Sequence, residues 1–114
     1  MSQARGMEPE TPEGLAIKVE RGAPTARLAL DGEVDLATAP KLSAAFADLL
    51  EDRPDRIELD CANLRFLDSS GLQVLVAAWD SMKDRATMPV VLTNVSPLIK
   101  QVLEACGLRN LLME

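Results

Sequence analysis

Asp68, Ser69, Ser70 and Gly71 are the residues of this chain whose types and spacing could do chemistry. They sit in residues 66–72 (FLDSSGL), where an apolar, strand-like stretch gives way to a helical one. Two hydroxyls and a carboxylate therefore fall where a helix start exposes unpaired backbone N–H groups. Such a turn suits receiving a phosphate or presenting a switchable surface. Hydrolytic chemistry is excluded, because the chain contains no histidine and Ser69 has no base of suitable pKa. The same absence removes imidazole as a metal ligand. The two cysteines, Cys61 and Cys106, are too far apart for a CxxC site, and both fall on expected core faces as buried free thiols. No catalytic residue, metal or cofactor is expected.

Each residue of the turn also has a structural reading. Ser69 is a natural N-cap, Gly71 permits close packing, and Asp35 in the upstream loop DGEVDLA can fix the turn after a second strand.

The elements that must position the turn follow from periodicity. Residues 1–14, rich in Pro, Gly and Glu without periodicity, read as a mobile N-terminal tail. Residues 15–20 alternate with Leu15, Ile17 and Val19 on one face, and 26–30 alternate less cleanly, so the two predict an antiparallel hairpin turning at 22–24. Thr38 and Pro40 open a first helix, with Thr38 as N-cap and an apolar stripe of Leu42, Ala45, Phe46, Leu49 and Leu50. Residues 56–61 read as a strand. From Leu72 to about Lys83 the spacing of Leu75, Val76, Trp79 and Met82 predicts a core-facing helix. Its neighbouring face, through Gln73, Val74, Ala77, Ala78 and Ser81, carries little charge and is a candidate contact surface, although packing against another element reads equally well. Residues 89–93 predict a strand buried on both faces. Ser96 and Pro97 open a last helix with Ile99, Val102, Leu103 and Cys106 inward, and Gly107 ends it in a left-handed cap. Residues 108–114 leave room for one short final strand.

That order predicts one α/β domain with a mixed β-sheet, an antiparallel N-terminal edge strand and right-handed β-α crossovers. Asp35 and Ser69 would both lie beyond the carboxyl ends of strands, where such sheets gather functional groups. A net charge of −6 without a basic cluster argues against direct nucleic-acid binding. No apolar run reaches the roughly 20 residues of a membrane span, and the first ten residues lack the apolar middle of a signal peptide, so a cytoplasmic protein is expected.

Three stretches carry a family resemblance: DGEVDLATAPKL (31–42), LDCANLRFLDSSGLQVL (59–75) and SPLIKQVLEACGL (96–108). Together they resemble the STAS family and, within it, the bacterial anti-sigma factor antagonists. The resemblance implies helices largely on one face of the sheet, over a domain spanning 15–114 whose C-terminal strand and helix are short or missing. Self-association at the uncovered surface is one consequence expected of that shortness. It also implies partner switching. The unphosphorylated antagonist binds an anti-sigma factor that is also a serine kinase, freeing the sigma factor, and phosphorylation releases it until a serine phosphatase reverses the change. By position the acceptor is Ser69, with Asp35 and Asp68 at acidic positions of the family and Ser70 where relatives carry Ser or Thr. Gly71, Leu72, Gln73, Val74 and Ala77 complete the expected phosphosite neighbourhood and partner-binding surface.

Two rivals stand beside this reading. A receiver domain phosphorylated on Asp68 lacks the acidic pair that holds Mg²⁺ near the end of a first strand. A non-switching STAS module, acting as a structural or regulatory subunit of a lipid-transport or scaffold assembly, needs no phosphate chemistry.

Overall fold

The structure, a computed structural model, describes residues 14–113. The tail expected over residues 1–14 therefore lies outside the described residues except for Gly14. The described elements run β1 (Leu15–Glu20), β2 (Thr25–Val34), α1 (Ala39–Leu50), β3 (Arg56–Leu67), α2 (Ser69–Met82), β4 (Val90–Thr93), α3 (Pro97–Ala105) and α4 (Arg109–Leu112). The four strands form one sheet in the order β1-β2-β3-β4. β1 is antiparallel to β2, and the β2–β3 and β3–β4 pairs are parallel, each joined by a helical crossover. This is the mixed α/β sheet with an antiparallel N-terminal edge strand that the element order predicts.

Burial along β2 alternates residue by residue. Ala26, Leu28, Leu30 and Val34 face the core and Arg27 and Asp31 face solvent, a cleaner period than the sequence suggested. The core joins Leu28, Leu30, Ile57 and Leu59 of the sheet to Leu42, Phe46 and Leu49 of α1, Leu75 and Met82 of α2, and Ile99 and Leu103 of α3. β4 is buried from Val90 to Leu92, as expected of a strand covered on both faces.

Strand β3 is twice as long as the six-residue segment expected, running to Leu67. The reason is visible in its pairing with β2. Ala29 pairs with Asp60 but Asp31 with Asn63, and Gly32 pairs with Leu64 but Glu33 with Phe66, so β3 carries an extra residue at each step. The bulges convert the inward spacing from two to three, giving Cys61, Leu64 and Leu67.

The structure corrects other expectations. Residues 108–114 hold no strand among the described residues: Leu108, Leu111 and Leu112 share one side of a helical turn, α4, with Leu112 fully buried. Val19 is exposed, because β1 is the edge strand of the sheet. Val76 is also exposed, and Ala78 takes its place in the core. Cys106 is exposed rather than buried, since α3 ends at Ala105 and Cys106 already belongs to its cap. Cys61 is buried as expected, and that burial pushes its thiol up to about 12. Gly107 does adopt a left-handed φ of 73°, and its N–H and that of Leu108 close back on the carbonyls of Glu104 and Leu103.

Candidate functional site

The two bulges in β3 bring its last residue level with the last residue of β2, so that Val34 and Leu67 are register partners. The next residue on each strand is an aspartate, and the Asp68 N–H donates across the gap to the carbonyl of Val34 at 3.2 Å. The Asp35 and Asp68 turns therefore leave the sheet side by side, both at the carboxyl ends of parallel strands.

Asp68, and not Ser69, is the N-cap of α2. Its Oδ1 accepts the N–H of Ser70 at 2.9 Å and of Gly71 at 3.3 Å, while its carbonyl accepts the N–H of Leu72 at 3.0 Å. Both residues are of capping type, and the end of β3 one residue earlier than a Ser69 cap requires decides between them. The correction changes the chemistry of the turn, because an aspartate already occupies two of the N–H groups that made it look ready for an anion. Ser69 is consequently the first helical residue, exposed, and among the described residues its hydroxyl makes no hydrogen bond.

Gly71 fits the close approach of α2 to both strand ends. A Cβ there would stand 2.5 Å from Leu67 Cδ1 and 2.7 Å from Val34 Cγ1. The absence of a side chain thus sets how deeply the helix start can sit, and with it the height of Ser69 above the sheet.

The Asp35 turn repeats the capping pattern and then diverges. Asp35 Oδ1 accepts the N–H groups of Ala37 and Thr38, both at 3.0 Å. The buried Thr38 hydroxyl donates to the carbonyl of Glu33 at 2.8 Å, lies 3.1 Å from Asp35 Oδ1, and accepts the Asp35 N–H at 2.9 Å. Thr38 occupies the expected N-cap position of α1, but its side chain makes no cap bond and is spent on the turn. Leu36, at the tip of this closed loop, is 80% exposed.

Two open grooves flank the exposed face of α2. One, of about 600 Å³, is lined by apolar side chains of α2 and of the chain after α3, including Leu72, Val76, Trp79, Leu108 and Leu111, with Ser69 and Cys106 at its margin. The other, of about 470 Å³, lies toward α1 and is lined by Leu36, Pro40, Ser43, Ser70 and Val74. Gln73 and Ala77 belong to both and form the ridge between them. The structure thus gathers Asp68, Ser69, Ser70, Gly71, Leu72, Gln73, Val74 and Ala77 on one helix start and its adjacent face. Asp35 belongs to the neighbouring turn, where its carboxylate is engaged by its own loop. Sequence reasoning missed Leu36, Trp79, Cys106 and Leu111 as surface features. Leu36 could have been found as a lone large apolar residue inside a polar turn, and Cys106 from its place directly before the helix-ending glycine.

No group of three or more Cys, Asp or Glu among the described residues is arranged to hold a metal ion. No helix among them is long and apolar enough to cross a membrane.

Comparisons with known proteins bear on this arrangement. Residues 17–114 match the family model described as "Mlab, STAS domain". Among curated proteins, the chain is 30% identical over 80 residues to the anti-sigma-F factor antagonist RsfB of Mycobacterium tuberculosis, a match covering 70% of this chain and 66% of that protein. It is also 30% identical over 81 residues to the anti-sigma-B factor antagonist of Listeria monocytogenes, covering 71% and 70%. The fold resembles the crystal structure of an anti-sigma factor antagonist from Mycobacterium paratuberculosis, with a TM-score of 0.74 at 24% identity over 92% of this chain and 89% of that one. It likewise resembles the anti-sigma factor antagonist SpoIIAA in its unphosphorylated form, with a TM-score of 0.66 at 20% identity over 87% of each chain.

Proposed function

The chain belongs to the STAS domain family, and from that premise we propose that it is an anti-sigma factor antagonist that works by partner switching. In this reading it is a cytoplasmic binding protein and not an enzyme. Its unphosphorylated form binds an anti-sigma factor that is also a serine kinase, phosphorylation of Ser69 releases that partner, and a serine phosphatase resets the cycle. The observation that carries the reading is the state of the Ser69 hydroxyl, exposed and without a hydrogen-bond partner among the described residues, at the margin of an apolar groove.

The physics of that position supports a switch that leaves the fold alone. A phosphate adds about −1.5 to −2 charges. Because Asp68 already caps Ser70 and Gly71, the new group extends from the first turn without replacing a bond the domain depends on. At a partner interface the same charge must be desolvated beside Asp68 and against apolar side chains, which costs several kcal/mol, and each 1.4 kcal/mol is about tenfold in affinity. The Gln73–Ala77 ridge, Val74 and Leu72 form the contact surface in this reading, with Asp35 and Ser70 at its edge.

The test is incubation with ATP and a serine kinase of the anti-sigma type from the same genome, read by intact mass and then by site mapping. One phosphate on Ser69, constitutive binding by Ser69→Ala and at least about tenfold weaker binding by Ser69→Asp are expected. Equal affinity of the kinase for the two variants would overturn the switch. A protein that binds a partner assembly but takes up no phosphate is instead a non-switching STAS subunit.

A further inference from the structure

The two edges of the sheet are treated differently. β4 is covered, with Val90, Val91 and Leu92 buried and α4 packed beside it, whereas β1 ends in three exposed residues, Lys18, Val19 and Glu20. Among the described residues no strand pairs with the outer side of β1. We propose that this edge is a homodimer interface, in which β1 of a second copy of the chain adds antiparallel to β1 about a two-fold axis at Val19.

Backbone parity identifies the free groups. In an antiparallel ladder the N–H and C=O of one residue point to the same side, and successive residues alternate. The carbonyl of Gly14 accepts the N–H of Glu33 in β2, so Gly14, Ala16, Lys18 and Glu20 face the sheet and Leu15, Ile17 and Val19 turn their backbone groups outward. The outward carbonyl of Leu15 is already taken by Lys41 Nζ at 2.7 Å, in keeping with that parity. Ile17 and Val19 are left to pair with another strand.

Side-chain charge then selects the register. With Lys18 on the axis, two lysines stand directly opposite each other, which is unfavourable. With Ile17 on the axis, Leu15 must pair with Val19 of the second copy through the carbonyl that Lys41 occupies. With Val19 on the axis, Lys18 of each copy lies opposite Glu20 of the other on the solvent face, forming two cross-strand ion pairs, and the exposed Val19 side chains meet on the helix-covered face. Lys18 makes no ion pair within the chain among the described residues, whereas Glu20 is held only by a 3.3 Å contact to Arg27. A lysine that protects an edge against indiscriminate pairing thereby favours one partner, a copy of the same strand.

Sedimentation velocity over a concentration series tests the interface in the full chain, with circular dichroism to confirm that each variant keeps the fold. The wild type is expected to dimerise reversibly. Lys18→Glu and Glu20→Lys should each raise the dimer dissociation constant by about tenfold, since each turns two attractive pairs into two repulsive ones, and the double charge exchange should recover most of the loss. In a Cys106→Ser background, Val19→Cys should cross-link on mild oxidation, because paired Cα atoms at the axis stand about 5.5 Å apart, and Ile17→Cys should not. A wild type that stays monomeric at every concentration, a double exchange no better than the single changes, or cross-linking through Ile17→Cys in place of Val19→Cys would each overturn the proposal. None of these readouts depends on Ser69, so the outcome is separate from that of the switch.

Discussion

The Asp35 and Asp68 turns begin alike and end differently. Each follows one of two paired strand ends, and in each the aspartate Oδ1 accepts the N–H groups of the second and third residues after it. In the first turn the residue three along is Thr38, whose hydroxyl is buried and fully occupied by Glu33 and Asp35. In the second it is Gly71, with no side chain at all, and the hydroxyl next to the aspartate, on Ser69, is exposed. The same capping device can thus consume a hydroxyl to hold a loop or leave one available. What separates the outcomes is whether the helix starts at once or four residues later.

Exchanging features between the two turns should have its largest effect at Gly71. Gly71→Thr, which imports the first turn's residue, forces a branched side chain into Leu67 and Val34 and should destabilise the domain by about 3 kcal/mol in urea unfolding. Thr38→Val keeps the volume but strips the partners of Glu33 and Asp35, and should cost about 2 kcal/mol in the same measurement. Removing the shared device is milder, with Asp68→Ala and Asp35→Ala each expected to cost about 1 kcal/mol. Here the turns should part again. Asp35→Ala and Thr38→Val should be strongly non-additive, because both act on one closed network, whereas Asp68→Ala and Ser69→Ala should simply add. The smallest effect belongs to Ser69→Ala, within about 0.5 kcal/mol, as expected of an exposed side chain away from the cap bonds. A loss of 2 kcal/mol there would show that the hydroxyl serves the fold after all.

Much of this architecture was legible in the residues. Helices α1, α2 and α3, the hairpin, the buried β4 and the glycine that ends α3 follow from apolar spacing and from Thr, Ser, Pro and Gly at element ends. The second half of β3 was not legible, because its bulges replace the two-residue period by steps of three through Cys61, Leu64 and Leu67, a spacing that resembles no strand. The capping residue of α2 was obscured for a related reason. Asp68 and Ser69 are equally good caps in isolation, and only the length of β3 decides between them. The exposure of Val19 depends on β1 lying at the edge of the sheet, which no local pattern contains. For the site, the residue types singled out the turn at 68–71 and the resemblance ranked Ser69 ahead of Ser70, and the structure sets both on one helix start with the Ser69 side chain exposed. The grooves that give the turn its surroundings come from residues more than thirty positions away on either side, Leu36 and Leu108 among them.

The carboxylate cap of Asp68 bears on how such a protein can evolve. Since the aspartate, and not the serine, accepts the cap bonds of the helix start, position 69 could change its residue without removing them. Under the proposed switch, the residue that holds the helix start and the residue that takes the phosphate are then neighbours with separate tasks. Copies of this domain could gain, lose or retune a response while remaining the same folded object.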